Sequence, residues 1–271
     1  MKKLLLLMLM PCAIVTMEQS SSDQKKVISE SERRDALKDR LKSFLRIAEK
    51  DLGVDPQWLA FNNEMDVGAQ TDERGLIVIN TQIIPDEDEI KYHICHELGH
   101  VKDGTINKKF LAMSAYYPSC IMLPSLLLYG IQRLAPMNRN LLNSSYAGLA
   151  VSGIFASLFF HTTVNLIIDR HLEKRADLIG LSCLLNMQNY TPICKTLISL
   201  EQSKLLGVKH ASDHPAPADI YDYLTNFLRK NKIQVQSEAQ QEADKTLNGT
   251  MTLLKDGQTL SHFNWRWRPK C

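Results

Sequence analysis

Two stretches without a charged side chain constrain this chain more than any other feature. Neither Phe110 to Ile131 nor Leu141 to Ile168 contains Asp, Glu, Lys or Arg. Each exceeds the roughly 20 residues that a helix needs to cross a bilayer. A helix satisfies its own backbone groups in lipid and an irregular segment does not, so the two are read as a spanning hairpin over 110–131 and 146–168. The connection, Gln132 to Asn140, carries Arg133 and Arg139. Gly148, Ser152 and Ala156, four residues apart, would let a partner helix approach closely. The competing solution is a helical hairpin buried in the protein's own core.

The rest of the chain organises around that insertion. Residues 1–19 open with Lys2 and Lys3 and continue into the apolar run Leu4 to Met10, the pattern of a signal peptide or N-terminal anchor. Residues 20–32 are polar and read as a linker. Leu37, Leu41, Phe44, Leu45, Ala48 and Leu52 recur at helical spacing, and Gly53 stops that helix. Gly75-Leu-Ile-Val-Ile-Asn80 is a short β-branched apolar run, which predicts a strand. An acidic cluster from Asp86 to Glu89 opens a helix from about Asp88 to Val101. Further helices follow Asp169, and residues 231–271 read as a polar C-terminal extension. The pattern is mainly α with a small β-sheet, an α+β fold with its principal domain over 33–230.

Charge excludes one class of partner. The formal net charge is +2, and the only interleaving of basic and aromatic residues is the brief Trp265-Arg266-Trp267-Arg268, so no nucleic-acid partner is expected. The six cysteines lack the spacing of a disulfide framework and read as small core residues.

Chemistry concentrates at His96-Glu97-Leu98-Gly99-His100. Positions i and i+4 share a helix face, so both imidazoles can reach one ion. Zinc accepts such nitrogens, and a carboxylate beside the first histidine can act as general base toward water. A catalytic site needs a third protein ligand, for which Glu173 is the best candidate. Asp177, one turn further on, can accept the other N–H of a histidine ligand. By themselves, Glu173 and Asp177 could equally be carboxylates facing water.

The ordered pair His96-Glu97-Leu98-Gly99-His100 and Glu173-Lys174-Arg175-Ala176-Asp177 resembles the membrane zinc peptidases of the HtpX and CAAX prenyl endopeptidase type. The resemblance spans about Arg33 to Lys230. It implies a zincin-like fold of the gluzincin group carrying the inserted hairpin, and one zinc ion per subunit on His96, His100 and Glu173. It further implies Glu97 as the base, Asp177 behind the ligands, and a polypeptide substrate cut internally. His214-Pro215 is similar to a later family element, but Ala218 to Tyr221 stand where the family commonly has arginine. Two roles stay open for His214: a donor to the tetrahedral oxyanion, or a turn residue capping a helix. Gly75, Leu76, Ile77 and Val78 are read as an edge strand for extended substrate, with an ordinary core strand as the alternative. The expected setting is integral to the cell membrane, in contact with the bilayer, with the catalytic side extracytoplasmic. A soluble exported protease or chaperone-like factor and a non-catalytic metal-stabilised scaffold are the other readings. No pattern in the residues sets an oligomeric state.

Overall fold

The structure, a computed structural model, describes residues 30–72, 75–105, 107–109, scattered positions between 111 and 133, 163, 165–208, 215–242 and 246–267. The chain divides into two compact units. One comprises residues 1–103, 174–210 and 215–271, and the other 104–173 with 211–214.

In the first unit, α1 (Glu30–Leu52) buries Leu41, Phe44, Leu45 and Ala48 along one face. It ends at Gly53, whose φ of 62° an L side chain would resist. Three short strands follow: β1 (Trp58–Phe61), β2 (Ala69–Thr71) and β3 (Leu76–Ile79). Their order is β1-β3-β2, with β3 parallel to β1 and antiparallel to β2. Ile77 and Ile79 point into the core.

The central helix α2 (Glu87–Asp103) starts at an acidic cap. Asp86 Oδ1 accepts the backbone N–H of Asp88 at 2.9 Å and that of Glu89 at 3.2 Å. Ile90, Ile94, Cys95 and Leu98 fill its buried side. The helical run 165–186 (α3) enters this unit from residue 174 onward. It crosses α2 almost backbone to backbone. A Cβ on Gly99 would stand 2.5 Å from the Ala176 carbonyl oxygen, and one on Gly180 would stand 2.9 Å from the Cys95 backbone. Gly99 is therefore retained in a helix interior where alanine would gain about 1 kcal/mol of propensity. Overpacking costs about 1–3 kcal/mol and outweighs that gain. Gly99→Ala is expected to destabilise the fold, by up to about 2 kcal/mol in urea unfolding once the propensity gain is subtracted; an unchanged midpoint would show that the crossing is loose.

Two further helices, α4 (Tyr190–Leu205) and α5 (Pro217–Lys230), pack on each other, and α4 also packs on α2. Lys195 on α4 reaches Asp86 and Asp88 at 2.8 Å each. A three-stranded antiparallel sheet closes the chain, with β4 (Ile233–Gln241), β5 (Leu247–Lys255) and β6 (Gln258–Trp267) in that order. It differs from the polar extension expected over 231–271. Inward positions of the three strands bury Ile233, Leu247, Met251, Leu253, Trp265 and Trp267, while Gln234, Gln236 and Arg266 face out. The two tryptophans are core residues, and Arg266 between them pairs with Glu242 at 3.1 Å. Cys95, Cys183 and Cys194 are buried free thiols, as small core residues should be.

Of the second unit, Lys109 and Asp169 form an ion pair at 2.8 Å. Leu111, Met122, Leu126, Tyr129 and Ile167 are exposed. Among the described residues no helix is long and apolar enough to cross a membrane. The expected spans 110–131 and 146–168 lie mostly outside the described residues, as do the leader 1–19 and His214.

Candidate metal centre

The motif on α2 behaves as the 3.6-residue period demands. His96 and His100 stand one turn apart on one face, their rings edge to face with centroids 4.7 Å apart. Their Nε2 atoms lie only 3.1 Å from each other, so both rings aim the same nitrogen at one point. Glu173 joins them: one ligand atom from each of His96, His100 and Glu173 falls within 4.8 Å of the others, and all three residues are half-buried.

The direction of the His96 ring is set from behind. Its Nδ1 lies 2.8 Å from Asp177 Oδ1. Because an ionised carboxylate only accepts, Nδ1 carries a hydrogen in either protonation state, so the proton the charged ring gives up to a metal comes from Nε2. Asp177 is buried, and burial alone would raise its carboxyl. The charge and hydrogen bond of His96 and the hydroxyls of Tyr223 and Tyr92 outweigh burial and hold it below the usual carboxylate range. Tyr92 donates to Oδ1 at 3.0 Å and Tyr223 to Oδ2. Burial, followed by the neighbouring Asp177 charge, pushes the Tyr92 phenol well up and keeps it a donor.

Glu97 is buried beside the histidines, with the Thr71 hydroxyl donating to its Oε2 at 2.7 Å. Thr71 ends β2, so this short strand lies against the carboxylate. Arg175 on α3 donates to Asp103 at the end of α2, a second tie between the two helices. His93 is half-buried, and burial pushes its imidazole down to about 4. His171 is exposed.

A model of peptidase family M48 matches residues 34–219, well over half of the chain and both motifs. The chain belongs to peptidase family M48. No curated protein and no solved structure matches it significantly. M48 peptidases are metal-dependent hydrolases, and the His-His-Glu group found here can hold a metal ion.

Against this M48 frame, His96, His100 and Glu173 come together, with Asp177 on His96 Nδ1. One expectation is corrected. Leu76, Ile77 and Val78, with Gly75 before them, do not form an edge: β3 is central, and both its sides are taken by β1 and β2. The edge strand beside Glu97 is β2, too short at three residues to announce itself in sequence. Thr71, Tyr92 and Tyr223 were missed. For Tyr92 a signal existed, since residues 92, 96 and 100 share one helix face; for Thr71 and Tyr223 none did.

Proposed function

We propose that this M48 peptidase is a zinc metalloendopeptidase of a membrane, acting in protein processing or quality control. The observation that carries the reading is the convergence of His96 Nε2, His100 Nε2 and a Glu173 carboxylate oxygen beside the buried Glu97. Two imidazoles and one carboxylate, with one imidazole locked in the ligating tautomer by Asp177, fit zinc in its catalytic form. Bound there, zinc supplies Lewis acidity to a peptide carbonyl and to water.

The chain's own groups do the rest. Glu97 takes a proton from the attacking water and returns it to the leaving nitrogen, so one carboxylate serves as base and then acid. Thr71 holds that carboxylate by Oε2, leaving Oε1 for the water. The outer side of β2 offers backbone groups to an extended polypeptide, which suits cutting inside unstructured chains. Thr71→Val keeps the shape and removes the hydroxyl. Losing a hydrogen bond to a charged group, about 1.5–3 kcal/mol, predicts a fall in kcat of about tenfold or more. Metal content should be unchanged, and Thr71→Ser should restore turnover. Equal turnover for Thr71→Val would remove Thr71 from the machinery.

The membrane part of the reading rests on the uncharged stretches 110–131 and 146–168, and on the outward apolar side chains Leu111, Met122, Leu126, Tyr129 and Ile167. Arg133 and Arg139 in the short connection agree with a catalytic side outside the cytoplasm, whereas Lys102, Lys108, Lys109, Arg170, Lys174 and Arg175 on the other flank of the hairpin weigh against it. The test combines extraction and activity. The protein should resist carbonate and require detergent. It should cleave casein, lose that activity to a zinc chelator and regain it with zinc. Release by carbonate would favour the soluble form with a self-buried hairpin, and metal binding without cleavage would favour the scaffold.

A further inference from the structure

We propose that Tyr223 is a positioning residue for the metal centre, and that α5 with the sheet β4-β5-β6 braces His96 through it. The proposal rests on the reading of His96 as a metal ligand. Tyr223 and the whole sheet lie beyond residue 219, where the family match stops.

The geometry lies in how the two Asp177 oxygens are shared. Oδ1 takes the His96 N–H and the Tyr92 hydroxyl; Oδ2 takes the Tyr223 hydroxyl. Two donors on one oxygen leave a planar carboxylate able to swing about its Cβ–Cγ bond. A donor on the other oxygen stops that swing. Asp177 is only 6% exposed, so water cannot readily replace a lost donor. With Tyr223 in place the carboxylate plane is fixed, and with it the His96 ring and the direction of its Nε2.

Tyr223 is itself seated from several sides. The Lys174 ammonium sits 5.1 Å from the centre of its ring. Leu224 and Leu228, on the same helix, are fully buried, and α5 packs on both α4 and β4. The line of support therefore runs from the C-terminal sheet through α5 and Tyr223 to Asp177 and the ligand. Tyr92 differs: it lies one turn before His96 on α2 and shares an oxygen that His96 already holds.

The test uses the full-length chain, stripped of metal and titrated with cobalt and zinc against a chromophoric chelator. Wild type should bind one equivalent. Tyr223→Phe should bind cobalt and zinc about tenfold or more weakly, the range for groups that orient a ligand, and should shift the visible cobalt spectrum. Tyr92→Phe should weaken binding less. Lys174→Ala, at an exposed position safe for folding, should weaken it in the same direction. A purely structural role for Tyr223 would lower the melting temperature of the metal-free protein without touching cobalt affinity or spectrum; that result overturns the proposal. So would Tyr92→Phe weakening binding as much as Tyr223→Phe. Wild type binding no cobalt or zinc would sink the metal reading too. Wild-type binding with an unaltered Tyr223→Phe sinks the bracing role alone.

Discussion

Glu97→Gln is expected to lower peptide hydrolysis by about three orders of magnitude while leaving metal content intact. The substitution preserves volume, and the amide oxygen can still accept from Thr71, so the buried pocket keeps its shape. What is lost is basicity. An amide cannot take a proton from water, and positioned acid–base groups contribute about 10²–10⁴-fold. Glu97 is not in the ligand group, which consists of His96, His100 and Glu173, so zinc should stay at one equivalent. Metal analysis and casein turnover on the same preparation check both halves. Stoichiometric loss of zinc would make Glu97 a ligand, and retained turnover would place the base elsewhere.

Glu173→Ala should have the second large effect, through the metal itself. Without the carboxylate only two imidazoles remain, short of the three protein ligands of a catalytic zinc site. Zinc should fall far below one equivalent after dialysis, with proteolysis lost in parallel. Folding should survive, because Glu173 is half-buried and its helix is secured downstream by the buried Ala176 and Leu181. Full zinc in this variant would falsify the assignment. Among the described residues no other group of three His, Cys, Asp or Glu side chains is placed to hold an ion.

How much of this was legible depended on the range of the interaction. The pairing of His96 with His100 was readable because it is set by one turn of helix, and the stop at Gly53 because only local backbone geometry is involved. The strand at Leu76–Ile79 was readable as a strand but not as a central one. Its rank depends on β1 and β2, four and three residues long, whose patterns are too short to register. The sheet β4-β5-β6 was hidden by composition. In Ile233-Gln-Val-Gln-Ser-Glu-Ala-Gln-Gln241 the polar residues outnumber the apolar ones, and only their alternation betrays a buried face.

Sequence by itself therefore determined the candidates for the chemistry: His96, Glu97 and His100 from their spacing on one helix, with Glu173 added by the family resemblance. Those candidates rest on residue type and on spacings of three or four. Tertiary structure alone decided how that chemistry is held. Thr71 meets Glu97 across 26 positions, Tyr223 meets Asp177 across 46, and Tyr92 meets Asp177 across 85. No local period links residues so far apart. They meet because Gly99 and Gly180 let α2 and α3 touch backbone to backbone, and because burial in the shared core brings β2 and α5 against that crossing.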